Sequence, residues 1–242
     1  MILASFLRPL LSVSGVLSVV VLSSCSRSAP PTPFVDGVPA MSRDKTTSFQ
    51  RSWVKPGVSL KDYHKVYVAP TVTEYAEVKW NAYNTRGLFT KNYDDDVKDE
   101  GVYFQQAFAS AFTNSKGRDW EVLQQASRGV NTLKVEAAIV QLTPSRVSLE
   151  VVGYLIPVVG ALNRIASATE VKISDAKTGE LLAVYADRQG TPASPIDLAK
   201  LRYYRPHQNI VRNWGRETVQ WIEREDPKKK IYGPLRFQPV TW

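Results

Sequence analysis

Hydrophobic and polar positions follow three rhythms along this chain. Near the amino terminus the run Leu10 to Leu22 is apolar for about 13 residues, broken only by Ser12, Ser14, Gly15 and Ser18. A second rhythm has period two: Leu133, Val135, Ala137 and Ile139 alternate with Lys134 and Glu136, and Thr169, Val171 and Ile173 alternate with Glu170 and Lys172. Alternation of this kind predicts half-buried strands. Lys65 to Ala69, Val72 to Trp80 and Trp120 to Leu123 are shorter strand-forming runs, the first stopped by Pro70. The turn Asp175-Ala176-Lys177-Thr178-Gly179 joins the 169–173 strand to a return strand at Leu181 to Asp187, which predicts a hairpin.

The third rhythm is helical. Phe104, Phe108 and Phe112, flanked by Ala107 and Ala111, form one apolar stripe and predict a helix from about Asp99 to Asn114. Residues 81–100, with Asp94-Asp95-Asp96, read as a polar loop ahead of it, and acidic charge there suits the positive end of the helix dipole. A longer helix is predicted from about Pro206 to Glu225, its buried face marked by Val211, Trp214, Thr218, Trp221 and Ile222 and its end by Pro227. Ser194-Pro195-Ile196-Asp197 has the cap residue, proline and acid of another helix start. Together these elements predict an α+β fold: a two-layer sandwich of a mostly antiparallel sheet packed by two main helices.

The apolar run near the start is too short to span a bilayer, which takes about 20 residues. With Arg8 before it and Ser23-Ser24 after it, the segment has the layout of a secretory signal. The sequence Leu22-Ser23-Ser24-Cys25 resembles the lipobox of bacterial lipoproteins. That resemblance implies cleavage between Ser24 and Cys25 and acylation of the Cys25 thiol and its new amino group. The competing readings are an uncut anchor and an ordinary signal peptide with a chance cysteine. Cys25 is the only cysteine in the chain, which excludes an intramolecular disulfide. Acyl chains of the palmitate class contribute about 0.8 kcal/mol per buried methylene, so several chains hold a protein stably in a membrane. Ser26 stands where an aspartate would resemble an inner-membrane retention signal, which favours the outer membrane.

Loss of 24 residues from 242 leaves 218, enough for one domain with a real core. Four prolines between Pro30 and Pro39, set among serine, threonine and glycine, predict a disordered tether. The chain thus divides into a signal peptide (1–24), a lipidated tether (25–50), a globular α+β domain (51–226) and an extended tail (227–242). Internal repeats are not evident. The net charge of +8 would suggest nucleic acid in a cytosolic protein; behind an export signal it points instead to a solvated basic surface, to anionic head groups or to acidic polysaccharide.

Trp53 to Gly57, Leu60 to Tyr63, Lys65 to Pro70, Asn131 to Ile139 and Asp175 to Ala183 resemble, in that order, motifs of a bacterial lipoprotein family defined only as domain of unknown function 3313. The resemblance spans roughly 52–225. It implies an envelope location and a compact α+β domain, and it brings no active site.

Candidate chemistry is sparse. His64 and His207 have no metal-ligand spacing, so no metal or other cofactor is expected. Asp94-Asp95-Asp96 lacks the alternation and glycine of a calcium loop. Glu136 and Glu150 could form a carboxylate pair for glycan cleavage, although Glu136 belongs to the polar face of a strand. The uncharged stretch 151–162 is the least ordinary feature. Its Tyr154, Leu155, Ile156, Val158 and Val159 either dip into a membrane or dock on a partner, or they form a buried connector, the reading favoured slightly. The sequence therefore predicts a non-enzymatic envelope lipoprotein on the periplasmic face of the outer membrane. Its expected partners are the bilayer, through Cys25, and an envelope protein, with no nucleic acid. Alternatives are an accessory lipoprotein of an envelope transport system and an envelope glycan hydrolase.

Overall fold

A computed structural model describes residues 31–77, 93–126, 129–142, 166–190, 205–226 and 228–231. Six strands, β1 (Arg51–Val54), β2 (Lys65–Val68), β3 (Glu121–Leu123), β4 (Thr132–Leu142), β5 (Ala166–Asp175) and β6 (Leu181–Gly190), form one sheet in the order β1-β6-β5-β4-β2-β3. The β1–β6, β6–β5 and β5–β4 pairs are antiparallel, and the β4–β2 and β2–β3 pairs are parallel. Helices α1 (Tyr93–Thr113) and α2 (Arg205–Glu223) pack on one face. The expected α+β sandwich is what forms. The Ser194–Asp197 helix start lies outside the described residues.

The β5–β6 hairpin turns where the sequence predicts. Gly179 takes a left-handed φ of 75°, which a residue with a Cβ adopts at a cost. The Asp175 carboxylate holds the turn by accepting bonds from the backbone N–H groups of Lys177 and Thr178. On the opposite edge of β4, pairing with β2 stops near Pro70, which has no N–H to give. It resumes as single bridges from Val72 to Ala138 and from Glu77 to Gln141, so the expected Val72 strand is a broken continuation of β2.

Alternation decides which side chains meet the helices. Leu133, Val135, Ala137 and Ile139 of β4 are buried in the main core with Val171 and Ile173 of β5. Phe104, Phe108 and Phe112 of α1 are wholly buried there, as are Val211, Trp214, Trp221 and Ile222 of α2. The two helices run side by side in one direction: Glu100 meets Gln208, Tyr103 meets Arg212 and Ser115 meets Glu223. Gly215 permits this approach, since a Cβ there would stand 3.2 Å from the Ala111 Cβ and 3.3 Å from the Ala107 carbonyl.

Two expectations change. Helix α1 begins at Tyr93 rather than near Asp99, so the Asp94–Asp96 run lies within its first turn instead of in a preceding loop. Acidic side chains there are favoured by the helix dipole, and the helix uses that end. The second change concerns the tether. Residues 32–50, expected to be disordered, pack on the domain. A 3-10 turn at Pro33–Val35 buries Phe34 and Val35 against Ala138 and Val184 on the face of the sheet away from the helices. The Lys172 ammonium sits 4.1 Å from the Phe34 ring centre. Ser42 bridges Ser52 beside β1, and Phe49 is 1% exposed, stacked on Tyr185 at 3.8 Å. Low overall hydrophobicity did not prevent order because a few large side chains found a sheet to cover.

The carboxylate of Asp187 on β6 joins the layers. It is 3% exposed and accepts the Trp214 indole N–H at 2.6 Å, the Gln189 amide at 3.0 Å and the Gln50 backbone N–H at 3.0 Å. Asp187→Ala strands those donors in a dry interface. It is expected to lower unfolding stability by about 3 kcal/mol, read as a lower denaturation midpoint at an unchanged m-value.

Candidate functional site

Every residue singled out from the sequence as a site lies outside the described residues: Ser24, Cys25, Tyr154, Leu155, Ile156, Val158 and Val159. Of the carboxylate pair, Glu150 is also outside, and Glu136 forms an ion pair with Lys134 at 2.8 Å on the sheet face away from the helices.

Two polar arrangements stand out among the described residues. The first is the point where the amino-terminal strap meets the sheet. Glu170 of β5 is 2% exposed and accepts the Thr32 hydroxyl at 2.5 Å and the Thr32 backbone N–H at 3.2 Å. Burial pushes the Glu170 carboxyl above its ordinary range, and the two bonds from Thr32 draw it part of the way back. Period-two alternation had placed Glu170 on a polar face. The residue does share a face with Lys172, but the strap covers that face.

The second arrangement lies between the sheet and the helices. Ser167 of β5 and His207 of α2 are joined by a 2.7 Å bond between Oγ and Nδ1. On the far side of the ring, His207 Nε2 stands 3.7 Å from Glu100 Oε2 of α1, and Gln208 donates to Glu100 Oε1 at 2.9 Å. Burial holds the His207 imidazole down at about 3 and lifts the Glu100 carboxyl to about 7. The imidazole is thus neutral at neutral pH. At 3.7 Å the Glu100–His207 contact is too long for a hydrogen bond, and neither facing atom has another partner among the described residues. The order hydroxyl, imidazole, carboxyl is that of a nucleophile with its base and orienting acid. Here, however, the Ser167 hydroxyl has no exposed surface, and the three residues come from β5, α2 and α1. The Ser167–His207 bond ties β5 to α2, and the Gln208–Glu100 bond ties α2 to α1. No local pattern marks it in the sequence, because Ser167 and His207 are 40 residues apart.

An open cavity of about 630 Å³ lies beyond the end of α2, lined by Gly117, Gln220, Glu223, Arg224, Lys229 and Lys230 among others. The Glu223 carboxylate is already engaged there by Ser115 at 2.5 Å and by the Trp120 indole at 2.7 Å. Among the described residues, no three histidine, cysteine or acidic side chains converge as a metal site would require. No described helix is long and apolar enough to cross a membrane.

The fold and these features define an α+β domain with a covered sheet. A family model for a protein of unknown function (DUF3313) matches residues 34–194, and the chain belongs to that family. The match begins at Phe34, inside the strap. No curated protein matches the chain. Among solved structures, the PelC dodecamer from Paraburkholderia phytofirmans is similar at 11% identity, over 69% of this chain and 96% of that one (TM-score 0.40). The hypothetical protein CT253 from Chlamydia trachomatis is similar at 10% identity, over 66% and 95% (TM-score 0.37). Protein XCC0632 from Xanthomonas campestris, of family DUF330, is similar at 11% identity, over 70% and 89% (TM-score 0.41).

The lifted Glu100 carboxyl has a pH consequence. A carboxyl whose folded value is raised binds more protons folded than unfolded between about 4.5 and about 7, so its contribution to stability falls as pH rises through that window. His207, held low, acts with the opposite sign between about 3 and 6.5. Comparison with Glu100→Gln separates the two, because His207 is common to both proteins. The melting temperature of Glu100→Gln minus that of the wild type is expected to rise from pH 4.5 to pH 7 and then level off. A difference that stays flat across that range would refute the buried-carboxyl account.

Proposed function

We propose that this protein is an envelope lipoprotein, held by acylated Cys25 in the outer membrane and facing the periplasm. Its domain acts by binding or assembly rather than by catalysis. The observation that carries the reading is the sequence Leu22-Ser23-Ser24-Cys25 directly behind a short apolar run, with no other cysteine in the chain. The strap supports it physically. Thr32, seven residues after Cys25, is already fixed to Glu170, so the leash spans at most about 25 Å. That is far shorter than a tether running to residue 50, and it keeps the domain close to the lipid. A binding role is supported by the sealed state of the Ser167–His207–Glu100 group, whose hydroxyl meets no solvent.

The test is fractionation of cells expressing the full chain, with labelled palmitate. The wild type is expected in the outer-membrane fraction, carrying label and having lost 24 residues by mass. Cys25→Ala is expected to lose all label and to leave the outer membrane. Membrane retention of Cys25→Ala that disappears only on further deletion of 153–161 would overturn the lipid anchor in favour of apolar insertion.

A further inference from the structure

The solvent-facing stripe of α2 carries Arg205, Asn209, Arg212, Arg216 and Gln220, all exposed and spaced three, four or seven residues apart. Arg205 to Arg216 covers about 16 Å along the helix axis. None of the three arginines forms an ion pair with a carboxylate among the described residues. Instead Arg212 donates to the Tyr103 hydroxyl at 2.6 Å and to the Asn209 side-chain oxygen, and Arg216 donates to the Asn213 side-chain oxygen. Neutral partners position two of these guanidinium groups without neutralising them. Their planar forks keep donors for bidentate capture of carboxylates.

We propose that this arginine ridge is a docking surface for an acidic cell-envelope polysaccharide, a polymer bearing repeated carboxylates. Three features choose this partner. First, the ridge is a line on a convex helix rather than a pocket, so it suits a repeating anion better than a single one. Second, the amides Asn209 and Asn213 lie between the arginines and Gln220 follows them, side chains that can bond sugar hydroxyls. Among the described residues the only large apolar side chains that stand exposed are Val102 and Val130, and neither is on α2. The anchors of a protein interface are aromatic side chains together with arginine, and this ridge offers its arginines with no exposed aromatic or large apolar side chain among the described residues of its helix. Third, the ridge belongs to the helix layer, and the strap leading to Cys25 lies on the opposite face of the sheet. With Thr32 docked, the helix layer is the one farthest from the anchoring lipid, which argues against the head groups of that membrane.

The inference deepens the envelope-binding reading and rests on it. Failure of the anchor would show in the Cys25→Ala fractionation, whereas the ridge is tested on detergent-solubilised full-length protein. Binding is measured to immobilised polygalacturonate, to its methyl ester and to phosphatidylglycerol vesicles, at 50 and 300 mM salt. The wild type is expected to bind polygalacturonate, to ignore the ester and to weaken at the higher salt. The triple variant Arg205→Gln, Arg212→Gln, Arg216→Gln is expected to bind at least tenfold more weakly with an unchanged melting temperature. The corresponding triple lysine variant should recover part of the binding. Equal binding by the wild type and the glutamine variant would overturn the proposal, as would no preference for the acid over its ester. Tighter binding to the vesicles than to polygalacturonate would overturn it in favour of a lipid surface.

Discussion

The layers of this domain depend on one buried carboxylate. Asp187 projects from β6 toward the helices and accepts bonds from an indole on α2, an amide on its own strand and a backbone N–H of the amino-terminal segment. Burying a carboxylate without partners is costly, so the position is tolerable only when the donors arrive together. That makes the interaction a test of assembly: helix, sheet and strap must all be placed before it is satisfied. Around it Phe49, Tyr185 and Trp221 close the apolar side of the same junction, with Phe49 stacked on Tyr185 and edge-on to Trp221. The Tyr185 hydroxyl then meets Thr218 at 2.8 Å, which adds a second polar tie between β6 and α2.

The strap repeats this logic on the other face. Glu170 is a buried acid that accepts two bonds from Thr32, and the apolar residues that follow, Phe34 and Val35, cover Ala138 and Val184. Polar and apolar contacts again arrive as a unit. A sheet covered by helices on one side and by a short chain segment on the other needs less helical material than a three-layer fold. The strap supplies a cover at the cost of ordering about ten residues, which is offset by burying two large side chains and satisfying Glu170.

Much of this was legible in the sequence, and the limits have a physical pattern. The hairpin at Asp175–Gly179, the alternation of β4 and the phenylalanine stripe of α1 are short-range signals, and each element formed where its period placed it. The buried face of α2 was marked correctly down to Thr218, which is wholly buried despite its hydroxyl. What escaped were features set by distant partners. Alternation tells which residues share a face of a strand, not what covers that face; it put Glu170 on the polar face and could not show the strap that buries it. Proline and serine content told that residues 26–48 have few apolar groups, not that Phe34 and Val35 meet an unoccupied patch of sheet. The Ser167–His207–Glu100 contact joins three elements far apart in the chain, and none of its members has a distinctive neighbour in sequence.

The docked strap also turns a composition argument into a geometric one. A basic chain beside a membrane invites the inference that its charge serves the membrane. Once Thr32 is fixed to Glu170, however, the chain leading toward Cys25 leaves from the face of the sheet opposite the helices. Charge on α2 is then separated from that exit by the sheet and by a helix diameter of about 10 Å. A leash of seven residues must use most of its length to run round the domain before the helix layer could lie against the same bilayer. If Cys25 carries the lipid, the two faces have different neighbours: the strap side looks toward the membrane, and the arginines of α2 look into the space beyond it. A free tether of twenty-odd residues would impose no such polarity, because the domain could then turn either face to the lipid. With the lipid on Cys25, two hydrogen bonds to one buried glutamate decide what the basic surface can reach.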